Sequence, residues 1–155
     1  MAKESAGLLL FRRGAGGLEI FLVHPGGPFW AKKDAHAWSI PKGEFAADED
    51  PLTAARREFA EETGLSAAGT FIALSPCKQP GGKIVHGFAV EGDCDPAAVK
   101  SNMFTIEWPP RSGRRQEFPE IDRAAWFPLA AARMKIHKGQ IPLLDELERK
   151  LAVSP

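Results

Sequence analysis

The chain has 155 residues, enough for one domain with a proper hydrophobic core. Apolar residues make up 44% and charged residues 26%, close to globular averages, which argues against a disordered chain. The 20 basic and 20 acidic residues cancel, which excludes broad, salt-driven binding to a nucleic-acid polymer but not a local basic pocket for one phosphorylated small molecule.

Cys77 and Cys94 are the only cysteines. They are too few for a disulfide framework and lack metal-ligand spacing, as suits a reducing compartment. The apolar run Ala6 to Phe11 is far too short for a membrane span, and the N-terminus lacks the features of a signal peptide. The expectation is a soluble, cytoplasmic protein without membrane contact.

In chain order, Ser5 to Arg12 reads as a buried strand, Gly14 to Gly17 as a turn, and Glu19 to Val23 as the hairpin partner. His24 to His36 is irregular, broken by Pro25, Gly26, Gly27 and Pro28, and it combines Phe29 and Trp30 with Lys32 and Lys33. Trp38 to Pro41 reads as a short strand entering a loop, Lys42 to Glu49. Asp50 is the expected N-cap and Pro51 the first residue of a helix to Thr63, with Gly64 as its left-handed stop. Leu52, Ala55 and Phe59 form the expected apolar stripe of that helix. Thr70 to Leu74 and Ile84 to Val90 are strand-like, and so is Asn102 to Trp108. Pro109 to Arg115 is a basic loop. Trp126 and Phe127 mark a further short strand, Leu129 to Ile136 a helix, and Pro142 to Leu151 an amphipathic closing helix. No repeat or linker interrupts this order, so one α/β (α+β) domain spanning 1–155 is expected.

Chemistry concentrates on the first helix. At 3.6 residues per turn, Glu58, Glu61 and Glu62 fall within an arc of roughly 100°, beside the apolar stripe. On an open surface such neighbours cost only about 0.2–0.5 kcal/mol per pair, and Arg57 at i, i+4 would partner Glu61. In a cleft, two carboxylates roughly 5 Å apart repel by about 3 kcal/mol at an effective dielectric near 20. A hard cation such as Mg²⁺ would relieve that repulsion. The charges alone leave both readings open.

The spacing around them is more specific. Gly43, five residues, Glu49, seven residues, and then Arg57-Glu58-Phe59-Ala60-Glu61-Glu62-Thr63-Gly64-Leu65 resembles the Nudix box at every specified position. The chain is thereby identified as resembling the Nudix hydrolases, which implies an α/β/α sandwich with a central mixed sheet and a loop–helix–loop metal site. The resemblance implies Glu58 and Glu62 as main Mg²⁺ ligands (Mn²⁺ being the alternative), Glu61 as a further ligand or base, and the Gly43 carbonyl as another ligand. It also implies that Arg57 orients the glutamates and that Glu49 fixes the loop or Arg57. A further acidic base or ligand from a distant loop is implied, for which Glu120 is first choice and Glu117 second.

The implied reaction is hydrolysis of a phosphoanhydride in a nucleoside diphosphate linked to another group, such as a nucleoside triphosphate or diadenosine polyphosphate. An ADP-ribose or nucleotide-sugar pyrophosphatase is the enzymatic alternative. A non-catalytic nucleotide sensor is the other, disfavoured because every box glutamate is present. Trp38-Ser39-Ile40-Pro41-Lys42-Gly43 resembles a segment of Nudix enzymes acting on dinucleoside polyphosphates, which suggests Lys42 for a phosphate and Trp38 for the substrate, with core packing as the alternative for Trp38. Trp30, Phe29 and Trp108 are candidates for stacking on a base, and Arg111, Arg114 and Arg115 for a polyphosphate tail or plain solvation. His36 and His86 lie near the proposed entrance without an assigned role. The closing helix and the N-terminal hairpin are both candidate surfaces for a homodimer.

Overall fold

The apolar run near the N-terminus forms Glu4–Gly14 (β1), which hairpins onto Gly17–Pro25 (β2) in a computed structural model that describes residues 3–153. Then follow Lys42–Glu44 (β3), the helix Pro51–Thr63 (α1), Ile72–Ala73 (β4), Cys77–Lys78 (β5) and Ile84–Glu91 (β6). Met103–Glu107 (β7), Arg115–Pro119 (β8), Ile121–Pro128 (β9), Leu129–Lys135 (α2) and Ile141–Val153 (α3) complete the order. The main sheet runs β4-β6-β1-β2-β9, with β3 added to β1 and β5 to β6. It is mixed: β1 lies parallel to β6, and the other pairs are antiparallel.

Strand β1 is buried on both faces, which is why it reads as a continuous apolar run rather than an alternation. Ala6, Leu8 and Leu10 join Phe21 and Val23 under Ala54, Ala55 and Phe59 of α1. Leu9 and Phe11 join Ile20 and Leu22 under Leu143, Leu144 and Leu147 of α3. The expected layering of helices on both faces of a mixed sheet is what the chain adopts. No helix among the described residues is long and apolar enough to cross a membrane.

Strands β1 and β2 pair only near their turn, from Phe11↔Ile20 to Gly14↔Gly17. Beyond that they splay, and the segment Ser39 to Glu44 is wedged between them. Ser39 exchanges two backbone hydrogen bonds of 2.9 Å with Val23 on one side. On the other, the Leu8 N–H donates to Pro41 O, and Lys42, Gly43 and Glu44 pair with Gly7, Ala6 and Ser5. A Cβ at Gly7 would lie 2.4 Å from Pro41 O and 2.7 Å from Lys42 Cβ, so only glycine lets the two backbones approach. The expected strand at Trp38 to Pro41 is therefore reduced to isolated bridges, Val23↔Ser39 and Trp38↔Ile136. The expected loop beginning at Lys42 starts instead as β3, because the free edge of β1 recruits it.

Helix α1 has its expected bounds. The Asp50 carboxylate accepts from the Thr53 N–H at 3.0 Å, and Gly64 adopts φ 73° with its N–H on Ala60 O. Its buried face is Ala54, Ala55, Glu58, Phe59 and Thr63, while Leu52 is only half-buried. The face is rotated from the stripe expected through Leu52, and the rotation carries Glu58 inward. Three other expectations shift. The strand at Thr70 to Leu74 shrinks to Ile72–Ala73, the segment after the basic loop adds β8, and the strand at Trp126 lengthens into β9. Strands β7 and β8 form a separate two-stranded ribbon, whose connection contains a cis Trp108–Pro109 peptide.

The wedge is testable. Gly7→Ala should lower the urea midpoint at unchanged slope, with a loss of about 1–3 kcal/mol from overpacking against backbone. Gly16→Ala, which meets nothing within 4 Å, should stay within about 0.5 kcal/mol. Equal midpoints for the two variants would refute the wedge contact.

Candidate functional site

Arg57 is the hub of the acidic helix. Its Nε and Nη2 donate to the two oxygens of Glu49, both at 2.9 Å, in a bidentate pair. Its Nη1 donates to Glu58 Oε1 at 2.8 Å and to Glu61 Oε2 at 3.2 Å. One guanidinium thus ties the loop before α1 to two helix carboxylates. The hydrogen bonds from Arg57 hold the Glu49 carboxyl below its ordinary range, and those from Glu49 first, then Glu58, raise the guanidinium.

Glu58 is buried, and burial raises its carboxyl despite the Arg57 contact. It fits because position 43 has no side chain: a Cβ there would lie 2.0 Å from Glu58 Oε2 and 2.2 Å from its carboxyl carbon. Wedge and helix meet at this contact. Glu61 is half-exposed on the outer side of the arc.

Glu62 turns towards a cavity of about 160 Å³, lined also by Lys42, Glu120, Ser39, Ile40, Val23, Pro25 and Ile121. Burial, and then the charges of Glu120 and Glu58, push the Glu62 carboxyl up to about 7. Lys42 sits half-buried on the same wall with no carboxylate in salt-bridge contact among the described residues. Burial first, then Lys83, lowers its ammonium. Glu120 stands between β8 and β9, and its backbone O accepts from the Gly26 N–H at 2.9 Å. Glu117, the second choice, is exposed within β8 opposite Thr105 and does not line the cavity. A larger groove of about 610 Å³ runs past Asp95, Asp122 and Arg123 and contains none of the α1 glutamates.

The aromatic residues separate. Trp38, expected at the substrate, belongs to the core instead: it is 4% exposed, meets Phe127 edge-on at 4.9 Å, and donates its indole N–H to Asp34. With Arg123 over its ring as well, no face is left for a ligand. Trp30 is 38% exposed on the loop after β2, with the Lys33 ammonium 4.9 Å from its ring. It does not line the cavity. His86 bonds Glu4 at 2.7 Å and His36 bonds the carbonyl of Ile136, and neither lines the Glu62 cavity.

Sequence reasoning overlooked Gln140. Its side chain is fully buried, with Oε1 accepting from the Ile40 N–H at 3.1 Å and Nε2 donating to Gln79 Oε1 at 3.1 Å and Ser39 Oγ at 3.0 Å. It anchors the wedge just before Lys42. An isolated glutamine before an amphipathic helix carries no signal of this, and Gly7, whose place inside an apolar strand can mark close backbone approach, was overlooked as well.

The donor set suits a hard divalent cation. It is all oxygen, carboxylates plus the Gly43 carbonyl, and the space at Gly43 admits a carboxylate that a Cβ would displace. Among the described residues no three His, Cys, Asp or Glu groups already stand at metal-ligand spacing. Glu58 and Glu61 lean on Arg57, and Glu62 faces the cavity.

A family model of the NUDIX domain matches residues 1–147. Over 38 residues the chain is 55% identical to the RNA pyrophosphohydrolase of Thioalkalivibrio sulfidiphilus (strain HL-EbGR7), a stretch covering 24% of this chain and 22% of that protein. The chain thus matches about a fifth of the length of this curated relative. Its fold is similar to that of a C. elegans Ap4A hydrolase in a binary complex, with TM-score 0.65 and 22% identity over 96% of this chain and 98% of the other. It is also similar to the NUDIX domain of Shewanella oneidensis NrtR complexed with ADP ribose, with TM-score 0.63 and 17% identity over 97% and 89%. With the family model covering nearly all of a chain that carries the complete box on a capped helix, the protein belongs to the NUDIX family.

Proposed function

We propose that the chain is a Mg²⁺-dependent pyrophosphohydrolase that cleaves a phosphoanhydride in a nucleoside diphosphate linked to another group, such as a nucleoside triphosphate or diadenosine polyphosphate. The observation that carries this reading is the convergence of Glu62, Glu120 and Lys42 on one cavity, next to Glu58 seated against Gly43. The names of an Ap4A hydrolase and an RNA pyrophosphohydrolase among its relatives point to the same bond class.

In this reading Glu58, Glu61, Glu62 and the Gly43 carbonyl hold the cation. The bound cation supplies charge neutralisation of the diphosphate and a lowered pKa for water. Lys42, which lines the same cavity as Glu62, offsets phosphate charge. Glu120, outside the helix but on the cavity wall, accepts the proton of the attacking water at its carboxylate. Arg57 is a positioning residue: it restrains Glu58 and Glu61 and is itself restrained by Glu49. Trp38 has no part at the substrate.

Three measurements test this reading. Turnover of a panel of nucleoside triphosphates, diadenosine polyphosphates, ADP-ribose and nucleotide sugars should vanish in excess EDTA and return with Mg²⁺; full turnover in EDTA would sink the metal assignment. Gly43→Ala should retain most of the stability, because the obstructed atoms end a side chain, yet lose at least about tenfold in turnover as Glu58 is displaced. A Gly43→Ala enzyme of parental activity would remove Glu58 from the site.

Glu62→Gln should lower turnover by about 10²-fold or more and also change the pH dependence of stability. A carboxyl raised from 4.5 to about 7 in the folded chain binds its proton more tightly there than in the unfolded chain. Its contribution is therefore intact below pH 4.5 and lost as pH rises towards 7. The metal-free variant should resist urea better than the parent above pH 7 and match it near pH 4. Parallel profiles would show that Glu62 carries no such strain.

A further inference from the structure

The cavity at Glu62 holds about 160 Å³, whereas small-molecule sites ordinarily enclose about 300–1,000 Å³. Most of a nucleotide must therefore lie outside it, on neighbouring surface. Two elements meet at its Pro25–Glu120 rim: the loop after β2 and the β7–β8 ribbon. They are clamped together there, since the Gly26 N–H donates to Glu120 O and a Cβ at Gly26 would lie 1.9 Å from Pro119 O. Further out, Gly27 lies against Phe104, and Phe29 meets Trp108 edge-on with ring centroids 5.3 Å apart.

The ribbon's register sorts its side chains into two faces. Phe104 pairs with Phe118 and Ile106 with Gln116, and the backbone of Trp108 donates to Arg114 O at 2.9 Å as the next pair outward. Phe104, Ile106, Trp108 and Arg114 thus share the face that covers the loop, while Glu107 and Arg115 share the other. The three arginines that look like one basic cluster in the sequence are divided. Continuing the register puts Arg114 on the face of Trp108 and Arg115 on the opposite one. Glu107 uses its carboxylate on the N–H groups of Arg111 and Gly113, which shapes the turn and leaves Arg114 without a carboxylate partner among the described residues.

The aromatic surface is not used up by packing. Phe29, which meets the half-buried Trp108, is 61% exposed, and Trp30, the next residue in the loop, is 38% exposed. From Glu120 back to Arg114 the extended chain covers roughly 20 Å at about 3.4 Å per residue. A group bound there is remote from the bond being cut.

We propose that Phe29, Trp30 and Trp108 form a stacking surface for a nucleobase, with Arg114 beside it holding a distal phosphate, so that the enzyme grips the part of a polyphosphate nucleotide remote from the scissile bond. The inference rests on the phosphoanhydride-hydrolase reading above. The rings supply affinity that any base can use, and the guanidinium supplies the charge complementarity to a polyphosphate. The neutral overall charge favours a free nucleotide over an RNA chain.

The test separates stacking from turnover. In EDTA, diadenosine tetraphosphate should quench tryptophan fluorescence, and inorganic tripolyphosphate should not. Phe29→Ala should weaken nucleotide binding about tenfold and leave tripolyphosphate binding unchanged, with an unaltered unfolding midpoint. Arg114→Ala should weaken both ligands, and Arg115→Ala, on the opposite face, neither. With Mg²⁺, the Phe29 and Arg114 variants should raise KM severalfold at near-parental kcat.

The proposal is overturned if Arg115→Ala matches Arg114→Ala, if nucleotide binds without quenching and independently of Phe29, or if only a 5′-triphosphorylated RNA oligomer responds to these variants. Quenching without turnover of any substrate keeps the stacking surface and rejects the hydrolase reading. Turnover with no quenching and unchanged KM does the reverse.

Discussion

The site depends on a gap in the sheet. Strands β1 and β2 leave their hairpin and diverge, and the backbone groups they would have exchanged must find partners elsewhere, because unpaired N–H and C=O groups in a buried sheet are costly. Ser39 to Glu44 satisfies both edges, bonding Val23 on one side and Ser5 to Leu8 on the other. That requirement, rather than any preference of the segment itself, sets where Lys42 and Gly43 stand. Gly7 permits the approach, and Gln140 braces the segment from the α3 side. The glutamate helix then needs only one contact, Glu58 on Gly43, to be in register with the wedge.

Around that frame the charges are arranged against one another. Arg57 serves Glu49, Glu58 and Glu61, whereas Glu62 has no hydrogen-bonded cation among the described residues and shares a confined wall with Glu120. A core designed for stability alone would not leave a carboxylate so placed, since a group raised to about 7 reflects burial and like charge acting together. Such local conflicts are common where a protein binds charge, and they mark this wall as a candidate site independently of the box.

Much of this was readable in the residues. Asp50-Pro51 and Gly64 bounded α1 because caps act locally, and the spacing from Gly43 to Leu65 brought Glu58, Glu61 and Glu62 under suspicion before any coordinates. Glu120 was reachable through the resemblance, and it does stand on the cavity wall. What escaped was non-local. Trp38 looked like a substrate residue because a sequence does not show that Phe127 and Asp34 close around its ring. Strand β3 looked like loop because its pairing comes from the open edge of β1. The arginines at 111, 114 and 115 looked equivalent because a ribbon's faces are defined only once its register is known.

Strand β1 sits at the centre of the sheet, and one of the strands that flank it lies far along the sequence. Its parallel partner is β6, with Glu4 beside Ile84 and Phe11 beside Glu91. During synthesis the strand that positions Lys42 to Glu44 therefore emerges long before the strand that shelters its other edge. The brace at Gln140 arrives later still. Pairings of such separation form slowly, so the nascent chain carries an apolar strand with an open edge until Ile84 to Glu91 has left the ribosome. For that interval the edge of β1 is a template for other chains, and the hairpin with β2, completed by Pro25, covers part of the strand well before β6 is made.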